Sequence, residues 1–145
     1  MATKTITSAN SRFTLSIPDV FPAPVALQGY AADDAFDNEA VDAAEILIGV
    51  DGLMSAGYTP FLTKMTIAFQ ANSPSIDVID TWLGAMKSAT EILYAQGSIE
   101  LPSVGRAYTL VDGVLSRPKQ IVGAKKVLQP VTHEITWAGI IPTVI

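Results

Sequence analysis

Residues Ala44 to Tyr94 read AEILIGVDGLMSAGYTPFLTKMTIAFQANSPSIDVIDTWLGAMKSATEILY, and this stretch decides the fold. Glu45–Val50 is rich enough in β-branched residues to form a strand, and Asp51-Gly52 suits a tight hairpin turn because glycine tolerates positive φ. A long, unusually apolar connection, Leu53 to Leu62, comes next. Met65, Ile67 and Phe69 then alternate with Thr66, Ala68 and Gln70, the period-2 mark of a half-buried strand. Asn72-Ser73-Pro74-Ser75 punctuates the chain before a single helix. Ser73 is placed to cap it and Pro74 to occupy its first position, where a missing N–H costs nothing. Asp77 and Asp80 favour the positive end of the helix dipole. Ile76, Ile79, Leu83 and Met86 recur at helical spacing, with Val78 and Trp82 widening the apolar face. A β-rich domain with one helix and a projecting oily loop points to assembly rather than chemistry.

The flanking sequence extends the β pattern. Phe13, Leu15 and Ile17 alternate with polar residues. Pro18, Pro22 and Pro24 punctuate the next stretch, and a second strand is expected from Val25. Ala31 to Asp42 is acidic and weakly patterned. Beyond the helix, Gly97 follows shortly after its end. Ser98–Leu101 and Arg106–Val111 read as strands around a Pro102–Gly105 turn, and Val114–Ser116 continues the sheet. The segment from Arg117 to Lys126 reads as a loop, and Val131, Ile135 and Trp137 sit in a last strand ending near Ile141. The expected fold class is mainly β, a sandwich or barrel with one flanking helix.

The composition bounds the function. A chain of 145 residues is expected to form one domain, residues 1–145, and buries enough surface to fold without a staple. It has no cysteine, so a disulfide framework and a thiolate metal site are excluded. Hydrophobic residues make up 49% and charged residues 16%, well below the typical ~25% charged. A chain with so few charges must hide its surface or present it to a partner. No apolar run approaches the ~18 residues of a membrane span, and the polar N-terminus lacks the apolar core of a secretory signal.

Charge is unevenly placed. No lysine or arginine lies between Arg12 and Lys64, and residues 1–63 hold eight acids against two bases, whereas residues 64–145 hold six acids against seven bases. The halves therefore offer two faces with different neighbours, although a plain solvated acidic surface accounts for the first equally well. The basic group Arg117, Lys119, Lys125 and Lys126 lacks the interleaved aromatics of a single-strand binder, and the net charge of −5 has the wrong sign for a typical DNA-binding domain. Pairing with the acidic half of a neighbouring copy is the expectation. Asp33-Asp34 could do acid–base work or bind Ca²⁺, but nothing around the pair has calcium-loop spacing. His133, the single histidine, has neither a second histidine for a metal site nor a G-x-S-x-G nucleophile, and is expected on the sheet surface. The glycine-containing pieces at Gly49 and Gly123 match no phosphate-binding loop.

Four colinear pieces of the chain resemble the tail tube proteins of contractile-tailed bacteriophages. They are Ile48-Gly49-Val50-Asp51-Gly52-Leu53-Met54-Ser55-Ala56-Gly57-Tyr58-Thr59-Pro60, Gln70-Ala71-Asn72-Ser73-Pro74-Ser75, Leu101-Pro102-Ser103-Val104-Gly105-Arg106-Ala107-Tyr108, and Lys126-Val127-Leu128-Gln129-Pro130 through Ile135-Thr136-Trp137. The resemblance implies a β-sandwich with a flanking helix, whose strands join across a homohexameric ring into a continuous inner barrel. It implies helical stacking of rings into the inner tail tube, the conduit for DNA ejection, in a virion tail assembled in the host cytoplasm. It also implies contacts with sheath, tape measure, baseplate and tail terminator proteins, no cofactor and no catalysis. Double-stranded DNA would pass without specific binding, because an acidic lumen repels a polyanion. Lumen-facing positions are therefore expected among Asp33, Asp34, Asp37, Glu39, Asp42 and Glu45. Inter-ring contacts are expected from Leu53, Met54, Tyr58, Phe61 and Leu62, although this loop is more apolar than the polar, charged loop of some tube proteins. Alternatives are a tail-completion or Hcp-like ring protein of a contractile injection system, a small ligand-binding β-barrel, and an enzyme built on the Asp33-Asp34 pair and His133.

Overall fold

The computed structural model describes residues 11–27 and 36–144. In chain order the elements are β1 (Arg12–Ile17), β2 (Phe21–Leu27), β3 (Phe36–Asn38), β4 (Ala44–Ile48), β5 (Met54–Tyr58), β6 (Thr63–Phe69), α1 (Ile76–Ala89), β7 (Ala95–Leu101), β8 (Arg106–Arg117) and β9 (Val131–Val144). Seven strands form one antiparallel sheet in the order β2-β1-β7-β8-β9-β6-β3, while β4 and β5 pair only with each other. The mainly β fold with a single helix agrees with the sequence reading.

Alternation along the strands sends one side of the sheet inward. Phe13, Leu15 and Ile17 of β1, Met65, Ile67 and Phe69 of β6, and Ile135 and Trp137 of β9 are all buried. The sheet curls strongly. Phe13, on the second strand of the order, meets Phe36 on the far edge strand edge-to-face at 6.0 Å. Val78, Ile79 and Trp82 of α1 join the same apolar cluster and complete a sandwich-like core. Each such side chain contributes on the order of 1.5–3 kcal/mol before entropy costs. The hydrogen-bonded ladder ends at β2 and β3, so the described residues form a curled sandwich and not a closed barrel. Both edges are blunted. Pro22 and Pro24 remove N–H donors from β2, and β3 is three residues long. The prolines therefore sit inside an edge strand beginning at Phe21, rather than in a break before Val25.

Two positions explain how Trp137 fits. A Cβ added at Gly113 would lie 2.6 Å from Trp137 Cε3, and one at Gly97 3.3 Å from Trp137 Cη2. Gly97 thus belongs to β7 and makes room for the indole, and the left-handed residue that ends the helix is Thr90 at φ 57°. The stretches 106–111 and 114–116 fuse into one strand because the irregularity between them is a bulge. Asp112 adopts φ 49°, its N–H donates to Gln96 Oε1 (3.2 Å), and its Oδ1 accepts from Gln96 Nε2 (2.7 Å). β9 likewise runs past Ile141, with Pro142 opposite Tyr108.

The helix entry combines two devices. Ser73 Oγ accepts the Ser75 N–H (3.2 Å), capping a tight turn that carries Pro74, and Ile76 N–H donates to Ser73 C=O (3.3 Å). Regular α-helix begins at Ile76 after Ser75, whose own side chain makes no cap bond to the helix. At the other end Trp82 Nε1 donates to Leu93 C=O (2.8 Å), tying the helix to its exit segment.

Candidate functional site

The oily connection after Asp51-Gly52 is largely a strand. β5 returns directly on β4, with Ile48 opposite Met54, Ile46 opposite Ala56 and Ala44 opposite Tyr58. Leu53–Leu62 is therefore half of a two-stranded ribbon and not a loop joining β4 to β6. Gly52 N–H donates to Gly49 C=O (2.9 Å), Gly52 takes φ 85°, and Gly49 N–H donates to Leu53 C=O (2.8 Å), the geometry of a three-residue hairpin loop. Asp51 Oδ1 accepts the Leu53 N–H (3.1 Å), so this carboxylate shapes the turn. At the ribbon base Thr59 N–H donates to Ala43 C=O (3.1 Å) and Thr59 Oγ1 to Asp42 C=O (3.0 Å).

Directly opposed residues share a face, so the register sorts the side chains. Ala44, Ile46, Ile48, Met54, Ala56 and Tyr58 form one wholly apolar face; Glu45, Leu47, Ser55 and Gly57 form the other. Every residue of both strands is exposed, with Ile48 at 77% and Tyr58 at 76%. A lone two-stranded hairpin is marginal in water, and an apolar face of this kind marks an interaction surface. Phe61 and Leu62, just beyond the ribbon, are also exposed.

The acidic positions separate along the chain. Asp37 sits on edge strand β3 opposite Thr66, and its Oδ1 accepts the Asn38 N–H (2.8 Å). Glu39 comes next, its N–H donating to Lys64 C=O (3.2 Å). Asp42 and Glu45 lie at the ribbon base, and all four are exposed. Asp33 and Asp34 fall outside the described residues. The basic residues Arg117, Lys119, Lys125 and Lys126 are exposed; Arg117 ends β8 opposite Glu134, and the three lysines lie on the segment between β8 and β9, which folds on itself through an Ala124–Leu128 bridge and a Gln129 N–H to Gly123 C=O bond (2.8 Å). Among the described residues, no group of three or more His, Asp or Glu could hold a metal ion. A half-open cleft of about 470 Å³ lies between β3 and the strands facing it, lined by Phe36, Met65, Tyr108 and Leu110 among others.

His133 departs from expectation. It is 1% exposed and points inward, with its ring centroid 6.2 Å from that of Phe69. Its position in β9 puts it in the same inward register as Val131 and Ile135, a parity visible in the sequence once those two are taken as core.

The chain matches, over residues 4–141, the family described as tail fiber protein gp32, and it belongs to that family. It is thus a phage-tail-type protein. No curated protein matches it. Its fold is similar to that of a chain in the cryo-EM structure of the anti-feeding prophage baseplate, with a TM-score of 0.65 at 10% identity, covering 99% of this chain and 98% of that one. It is also similar to a chain in the tube-terminating cap of the anti-feeding prophage, with a TM-score of 0.58 at 9% identity, covering 100% and 95%.

Proposed function

We propose that this protein is the single-domain subunit of an inner tail tube, stacking as homohexameric rings that conduct DNA. One observation carries the reading: the β4–β5 ribbon presents a continuous apolar face that is exposed among the described residues. Joining strands across subunits would cover such a face and remove the open edges at β2 and β3. A ring is a head-to-tail contact that closes, and a stack of rings is the same logic left open. Ile46, Ile48, Met54 and Tyr58 serve the contact between copies in this reading, with Leu53, Phe61 and Leu62 beside them at the ring junction. Arg117, Lys119, Lys125 and Lys126 meet an acidic surface of the adjacent copy. Asp37, Glu39, Asp42 and Glu45, together with Asp33 and Asp34, form a lumen that repels DNA. The protein acts in the virion tail, without catalysis or cofactor, and meets sheath, tape measure, baseplate and terminator proteins.

Negative-stain electron microscopy of the purified protein is the test. Hollow tubes are expected, and Ile46→Ser with Ile48→Ser should leave a folded subunit that forms none. Persistent single rings would instead support a baseplate or cap role, which the two similar structures favour equally by fold. Fibres without a lumen would support the role named in the family's description. A monomer at high concentration would overturn the assembly reading.

A further inference from the structure

His133 is held in a way the assembly reading does not use. Its Nδ1 accepts the backbone N–H of Lys119 (3.1 Å). An Nδ1 that accepts carries no proton, so the neutral ring has its hydrogen on Nε2. That Nε2 is buried with no hydrogen-bond partner among the described residues. The bond ties the start of the segment from Pro118 to Pro130, here termed the strap, to the inward side of β9. A second side-chain tie from the strap to the body is the exposed Lys87 Nζ to Gln120 Oε1 bond (3.3 Å). The strap carries Lys119, Lys125 and Lys126 and leaves Ile121, Val127 and Leu128 exposed.

We propose that His133 is a pH-sensitive latch: protonation of its Nδ1 expels the Lys119 N–H and releases the strap from the sheet. A protonated Nδ1 is a donor facing a donor, and the imidazolium would sit in a buried site whose other nitrogen already lacks an acceptor. Opening the strap lets water reach the ring at less cost than unfolding the sheet. Among the described residues, the charged groups around the ring are Asp80 on α1, and Arg117, Lys119 and Glu134, which line the shallow cavity beside it. From β6, Thr66, Ile67 and Phe69 add no charge. Burial lowers the imidazole pKa from 6.5, and the field of Asp80 offsets this in part. Because the latched pKa lies below the free value, the open state binds more protons, so latching is complete above pH 6.5 and weakens as pH falls toward the latched pKa. The basic surface carried by the strap is therefore fixed in place at neutral pH and freed by acid.

Amide hydrogen exchange on the full chain, corrected for intrinsic exchange, tests this. Protection of the Lys119 amide should fall with acidification, approaching about tenfold per pH unit between 6.5 and the latched pKa. The amides of β6 and β9 should keep theirs. His133→Gln keeps an acceptor that cannot titrate, and its Lys119 protection should be independent of pH. A flat wild-type profile, or an equally steep His133→Gln profile, would overturn the latch. Imidazole ¹⁵N resonances of the wild type give an answer even if the variant does not fold. An unprotonated Nδ1 at neutral pH, titrating with the same midpoint as strap release, supports the proposal. A protonated Nδ1, or separate midpoints, overturns it.

Discussion

The curled sheet and the β4–β5 ribbon are built from the same residue types and treat them in opposite ways. Ile17, Ile67 and Ile135 of the sheet are 0% exposed, whereas Ile46 and Ile48 are 63% and 77% exposed. In the sheet, alternation is met by a helix and by the sheet's own curl. In the ribbon, alternation produces an equally apolar face with none of the other described elements against it. Apolar patterning therefore specifies that a face must be covered, but not by what. Where the body satisfies the requirement internally, it yields stability; where it does not, the surface is left for another molecule.

Substitutions in the two regions should part company when unfolding is followed in denaturant. Trp137→Ala removes the largest side chain wedged between strands and should cost about 3–5 kcal/mol, read as a fall in the denaturation midpoint. Gly113→Ala pushes a methyl into the same indole and should cost about 1–3 kcal/mol by overpacking. Trp82→Phe keeps most of the buried ring but leaves Leu93 C=O without its donor, for a loss of about 1 kcal/mol. In the ribbon, Ile48→Ala should change subunit stability by less than about 0.5 kcal/mol. A loss there as large as that of Trp137→Ala would show that the ribbon packs on its own subunit, and would break the contrast. Gly52→Ala sharpens it: strain at φ 85° should raise exchange of the ribbon amides and leave those of β6 unchanged.

Most of the fold was legible where a period met a clear boundary. β1, β6 and the helix derive from alternation in 13–17 and 65–69 and from the Ser73-Pro74 signal with its apolar stripe. The hairpin turn at Asp51-Gly52 was equally plain. Its partner strand was not, because Met54-Ser55-Ala56-Gly57-Tyr58 holds small residues and no β-branched one, and its pairing with β4 is a property of register. Gly97 shows in the sequence only as a glycine shortly after the helix, yet its bare Cα makes room for an indole from a distant strand. Asp112 read as a gap between strands, yet a side-chain clamp from Gln96 turns it into a bulge. His133 looked like a surface residue because its neighbours Thr132 and Glu134 are polar, although alternation with Val131 and Ile135 already placed it inward.

Composition and spacing alone determined a mainly β chain with one amphipathic helix, too few charges for an isolated surface, and acidic and basic residues segregated along its length. These are local properties, set by backbone preference and side-chain period, so they survive without knowledge of contacts. The tertiary structure alone decided which apolar face is buried and which is offered outward, which glycines serve packing, and which way His133 points. Those outcomes depend on what lies across from each residue, and the partners are separated by tens of positions in the chain.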